Sequence, residues 1–197
     1  MTQMTNAAPA VDRYLEIAER QFAETGFHGV SLAAIAKEAG VSKQALLHFF
    51  GTKEKLYGAV LKRLSDKLCA EVERAGAGGP AAGLVAYFEG LAKNSLERQA
   101  EARLVVRALL DTEETARFWP MKPYLEALTE LARKTPKWQT ASLDEIRAEL
   151  FQLIGAIQYL TISQTALTGM YGEEDRQAIE ERFAGSISGA IRVFVEA

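Results

Sequence analysis

With one cysteine, Cys69, in 197 residues, the chain can form no intramolecular disulfide. One thiol and two histidines also cannot assemble a Cys-rich structural zinc site, and a reducing cytoplasm is the compartment that fits. No apolar stretch approaches the ~18–20 residues a membrane span needs. The opening MTQMTNAAPA lacks the basic start and apolar block of a secretory signal, so no membrane partner is expected. Catalytic constellations are missing too. His28 and His48 lie in the first fifty residues and Cys69 on a packing stripe, and there is no phosphate loop, metal-ligand spacing or nucleophile elbow. An enzyme is therefore not expected, nor a cofactor or a metal.

Proline is scarce, with five residues, and β-branched runs are few. Ala, Leu, Glu, Arg and Lys abound, and these lose little rotamer freedom in a helix. At 48% hydrophobic and 25% charged, the chain is long enough to bury one good core plus a small accessory unit. The composition predicts an all-α protein.

Val11, Tyr14, Leu15, Ala18 and Phe22 recur at three- and four-residue steps, one apolar face of a first helix that Gly26 ends. Ser31 caps a short second helix burying Leu32, Ile35 and Ala36, and Gly40 supplies the turn. Ser42 caps a third, running to about Phe50. It sends Lys43, Gln44, Ala45 and His48 outward, while Leu46 and the Phe49–Phe50 pair anchor it inward. Thr52 opens a longer fourth helix with Leu56, Val60, Leu64 and Leu68 every four residues, closed by the glycine-rich stretch at 75–83. Further helices are predicted at about 81–98 and 100–112. A break follows around Pro120 and Pro123, and a helix resumes through Leu131. A capping box at Ser142–Glu145 opens a long helix to about Thr168, and a last helix runs from about Glu173 to Val195.

The informative span is Gly26-Phe27-His28-Gly29-Val30-Ser31, then Ala33 to Ser42 around an Ala-Gly-Val-Ser turn, then Leu46 to Leu56 with Thr52-Lys53-Glu54. Two short helices joined by such a turn cross steeply, so the second presents its N-terminal face to the DNA major groove while the first braces against the backbone. In spacing and residue type, residues 11–60 resemble the DNA-binding domain of the TetR family of repressors. The resemblance implies an N-terminal three-helix helix-turn-helix domain, taken as residues 1–56, and a larger C-terminal helical ligand-binding and dimerisation domain, 57–197. It places Lys43, Gln44 and Ala45 at the base-reading positions, where Gln can pair with adenine, Lys with guanine acceptors and Ala with a thymine methyl. It puts Ser31, Ser42, His48, Thr52 and Lys53 at phosphate contacts. Leu47 stands where many members carry a phosphate-bonding Tyr.

Although the chain carries a net charge of −3, residues 1–70 hold nine Lys/Arg against seven Asp/Glu, and the remainder fourteen against nineteen. The basic bias sits with the DNA motif. One helix-turn-helix makes too few contacts for selective binding, so a homodimer reading two half-sites is implied. The stripes Leu143, Ile146, Leu150, Ile154, Ile157 and Tyr159 or Leu160, and Ile179, Phe183, Ile187, Ala190, Ile191 and Phe194, are the expected surplus surface for it. Phe88, Phe118, Trp119, Met121, Tyr124, Phe151, Gln152 and Tyr159 are candidates for an apolar effector pocket, with Arg103 and Arg107 able to hold an anionic ligand; each also reads as core or as solvated helix face. The expected function is a sequence-specific transcriptional regulator, a repressor released from a palindromic operator by a small molecule. The alternatives are an architectural or nucleoid-associated DNA-binding protein with no ligand, and a protein-interaction module.

Overall fold

The computed structural model describes residues 7–94, 97–110 and 120–196. Among the described residues there are eight α-helices, one 3-10 turn and no strand, and no helix is long and apolar enough to cross a membrane. The helices are α1 (Ala7–Gly29), α2 (Leu32–Ala39), α3 (Lys43–Phe50), α4 (Lys53–Gly76), α5 (Pro80–Lys93), α6 (Gln99–Leu110), α7 (Lys122–Arg133) and α8 (Leu143–Val195), with the 3-10 turn Pro136–Trp138 before α8. The fold is all-α, as composition predicts. The chain forms two compact units, 1–65 with 103–121 and 66–102 with 122–197. Two divisions fall inside α4 and α6 and the third at the start of α7, and the glycine-rich turn joins α4 to α5 within the second unit.

In the first unit α1 buries Tyr14, Ile17, Ala18 and Phe22, the three- and four-residue spacing of an inward face. Gly26 interrupts α1 at φ +73°, a conformation that side chains with a Cβ resist, and turns the chain so that Phe27 folds back on Phe22 and Tyr57. The carbonyl of Glu24, two residues before this break, accepts a hydrogen bond from Arg107 of α6 at 3.2 Å. Arg63 of α4 holds the other end of α1, donating to the Asp12 carbonyl at 3.2 Å and to Glu16 at 3.1 Å. On α4 the inward set is wider than a four-residue repeat: Tyr57 and Leu61 are buried beside Leu56, Val60 and Leu64.

In the second unit α5 packs on α7 and chiefly on α8. Gly83 permits the close approach of α5 to the end of α4: a Cβ there would stand 2.7 Å from the Ala75 carbonyl oxygen. The capping box is formed, Ser142 accepting from the Glu145 amide and Glu145 from the Ser142 amide. Gly172, at φ +84°, breaks α8 into arms 143–171 and 173–195. The second arm ends beside the start of the first, since the Trp138 indole donates to the Phe194 carbonyl at 2.7 Å and Lys137 to that of Val193. These side chains satisfy carbonyls that a helix C-terminus leaves open.

Burial corrects one expectation. Ile146, Leu150, Ile154 and Ile157 on the first arm, and Ile187, Ile191 and Phe194 on the second, are buried within the unit. The regular repeat marks the inward side of each arm. The large apolar residues left exposed on the arms are Leu143, Phe151, Tyr159, Met170, Tyr171 and Val193, and Ile179 and Phe183 are half-buried.

Across the Gly172 break the buried Arg176 guanidinium bonds Gln164 at 2.7 Å, Glu173 at 3.1 Å and Glu180, and Thr168 also donates to Glu173. Hydrogen bonds from Arg176 hold the Glu173 carboxyl down at about 2, from an ordinary 4.5. A depressed folded-state value contributes stability that is full above the unfolded pKa and disappears as pH falls through the folded one. Acid titration is thus expected to weaken the arm junction between about pH 4.5 and 2. A Glu173→Gln protein should lose this part of the pH dependence, read as the unfolding midpoint against pH.

Candidate nucleic-acid interface

The local rules of capping build the reading face. Ser31 Oγ accepts from the Ala33 amide at 3.2 Å and Ser42 Oγ from that of Ala45 at 3.1 Å, fixing the starts of α2 and α3. A hydroxyl that accepts from the backbone still has its proton to donate, the arrangement a phosphate oxygen needs. Leu46 is the one residue of α3 that is fully buried, while Ser42, Lys43, Gln44 and His48 are exposed and Ala45 and Leu47 half-exposed. The base-reading candidates thus lie together on the first turn of α3, free of the core. Phe49 is 42% exposed, with its ring 5.5 Å from Tyr14, and so lies at the edge of the core.

Thr52 starts α4 differently. Its Oγ1 accepts from the Lys55 amide at 3.2 Å, and its hydroxyl bonds Glu54, which holds that carboxyl below its ordinary range. Lys53, the next residue, is half-buried with its ammonium 4.5 Å from the centre of the Phe27 ring. Of the phosphate candidates, Ser31, Ser42 and Lys53 keep donors for an anion, whereas the Thr52 proton is committed to Glu54.

The described candidate ligand residues are divided between the two units. Arg103 and Arg107 lie on the part of α6 that belongs to the first unit, Arg107 bonded to Glu24. Phe88 is fully buried against Phe194, and Tyr124 is buried with its hydroxyl 2.9 Å from that of Tyr87. Phe151 is 53% and Tyr159 73% exposed, and Gln152 is exposed beside them. Phe118 and Trp119 lie outside the described residues. Phe151 borders a depression of about 320 Å³ with Lys122, Leu125, Glu126 and Arg147. A larger cavity, about 410 Å³, opens between α4, α5 and α7 on Val72, Pro80, Ala127 and Leu131, and contains none of the expected residues.

Sequence reading passed over Tyr87 for its neighbour Phe88. Burial pushes the Tyr87 hydroxyl far up and that of Tyr124 to about 12, so the pair stays protonated. One hydroxyl–hydroxyl bond uses one of their two protons. Phe27 was likewise read only as part of the Gly-rich entry to α2. A pairing between residues 27 and 53 leaves no trace in local periodicity.

Residues 15–60 match the family model for bacterial regulatory proteins, tetR family. A stretch of 45 residues is 53% identical to the HTH-type transcriptional regulator RutR of Escherichia coli (strain K12), covering 23% of this chain and 21% of RutR. The match thus spans about a fifth of that relative's length. Among solved structures, a transcriptional regulator from Rhodococcus sp. Rha1 superposes with a TM-score of 0.70 at 24% identity, over 95% of this chain and 98% of that one. The transcriptional regulator FadR from Bacillus subtilis, in complex with stearoyl-CoA, gives 0.70 at 15% identity over 94% and 97%. At these identities the structural likeness speaks for the fold of the whole chain, while the close sequence match is confined to the helix-turn-helix. By that signature, residues 15–60 are similar to the helix-turn-helix of the tetR family of bacterial regulatory proteins.

Proposed function

We propose that this protein is a cytoplasmic DNA-binding transcriptional repressor that reads a palindromic operator as a homodimer and is released from it by a small molecule. The carrying observation is the first turn of α3, where Lys43 and Gln44 stand exposed next to the capping Ser42 on a helix anchored by the buried Leu46. Residues 1–56 are assigned to DNA and 57–197 to sensing and pairing. Lys43, Gln44 and Ala45 set base preference; Ser31, Ser42, His48 and Lys53 set affinity and register, with Leu47 at the margin of the contact. The exposed Phe151, Tyr159 and Val193 on the two arms of α8 favour pairing through that outer face. The B. subtilis neighbour was solved with stearoyl-CoA, which supports an effector in the helical part. The buried Tyr87–Tyr124 hydroxyl pair beside Phe88 is the polar anchor we assign to it. Release requires that the effector bind the DNA-incompetent conformation more tightly than the competent one.

Selection from random duplexes at near-physiological salt tests the reading, because non-specific electrostatic binding is suppressed there. A palindrome should be enriched, and Gln44→Ala should lower affinity for it by ~1–3 kcal/mol while relaxing preference at one position of each half-site. Retention of many unrelated sequences would instead favour an architectural role, and no retention a protein-interaction module.

A further inference from the structure

We propose that Phe27 is a positioning residue for a DNA phosphate contact made by Lys53, its ring holding the ammonium in place without cancelling its charge. The inference rests on the DNA-binding reading and names a part of that site. Lys53 is the first residue of α4, and its Nζ stands 4.5 Å from the Phe27 ring centre. That ring is buried and is itself fixed by Phe22 at 6.3 Å and Tyr57 at 5.4 Å between centroids. A cation over an aromatic face is attracted by the ring quadrupole. A carboxylate in the same place would also hold the ammonium but would neutralise it towards an incoming phosphate. No salt bridge to Lys53 is formed among the described residues; its charge helps to keep the neighbouring Glu54 ionised, but that carboxylate is bonded by Thr52. Lysine has four rotatable bonds to immobilise when it meets a phosphate. Here much of that ordering precedes binding, and pre-ordering of this kind raises affinity. Helix α4 adds the positive end of its dipole at the same point. The break at Gly26 makes this possible, because it returns Phe27 to the side of α4.

The test is a double-mutant cycle on full-length protein with a duplex obtained by selection, with F27L, K53M and the double variant measured across a salt series. F27L is expected to weaken binding about three- to tenfold and to lower the slope of log K against log salt by up to about 0.9 per protomer, as K53M does. On the K53M background F27L should cost nothing further. Without DNA, the Lys53 ε-methylene protons should show an upfield ring-current shift that F27L abolishes. Should F27L fold poorly, pentafluorophenylalanine at position 27 keeps the shape while reversing the quadrupole, and the same loss is expected. Independent, multiplicative losses, or wild-type affinity and slope in a folded variant at position 27, overturn the positioning role and leave the DNA reading intact. A wild-type protein that binds no duplex overturns both, even with the ring-current shift present.

Discussion

Phe22→Ala is expected to cost ~3–5 kcal/mol of folding stability, the range for deleting a fully buried aromatic side chain. Phe22 has no exposed surface, lies 4.8 Å from the Tyr57 ring and stacks on Phe27, so it is shared by α1, α4 and the turn after Gly26. Removing it leaves a void that the backbone cannot close, since Arg63 and Arg107 hold the two ends of α1. Denaturant unfolding checks this: the midpoint should fall while the dependence on denaturant stays the same, as expected for a native-state loss. A midpoint within experimental error of wild type would mean that α1 relaxes inward and that the two arginine contacts do not constrain it.

Gly83→Ala should destabilise by ~1–3 kcal/mol, against the usual sign for a helix interior. Replacing a helical glycine by alanine ordinarily stabilises, by ~0.5–1 kcal/mol, because glycine loses more backbone freedom on folding. At Gly83 the new Cβ meets the Ala75 carbonyl oxygen at 2.7 Å and the Gly76 Cα at 2.8 Å, and backbone atoms cannot swing aside as a side-chain tip can. Gly90, on the same helix α5, has nothing within 4 Å of its Cβ position and serves as the control. Thermal melts of the two variants should move in opposite directions. If both rise, α4 and α5 part without cost at the glycine-rich turn.

How legible each feature was depends on the distance in sequence between the groups that make it. The starts of α2, α3 and α8 could be read because a cap is an interaction across two or three residues, as the Ser31, Ser42 and Ser142 hydrogen bonds show. The break at Gly26 and the turn at Gly40 were legible for the same reason, glycine being the residue that takes positive φ without strain. The inward stripes were also readable, but periodicity gives a face and never says what covers it. Ile146, Leu150 and Ile154 were expected to meet a second protomer and meet their own unit instead. Arg107 to Glu24, Lys53 to Phe27 and Arg176 to Gln164 join residues 83, 26 and 12 positions apart. The first two pair residues on different helices, and the third crosses the Gly172 break, where helical register no longer applies. On the first turn of α3 the identities Lys43, Gln44 and Ala45 could be named from the motif because the motif fixes which side of an eight-residue helix faces out. The effector candidates had no such frame, and the described ones are divided between two units, Phe88 and Tyr124 buried and Phe151 and Tyr159 exposed.

The brevity of α3 has a consequence for anyone who would rewrite what this protein recognises. Eight residues are fewer than the ~12–15 that an isolated helix needs to be marginally stable in water. Its shape is on loan from Leu46, from the Ser42 cap and from the Gly51 turn. A synthetic peptide of residues 42–51 would therefore be a disordered chain, and the segment is not a portable module to be transplanted into another scaffold. On the proposed reading, new specificities would be reached by exchanging side chains at positions 43 to 45 on the frame that already holds them.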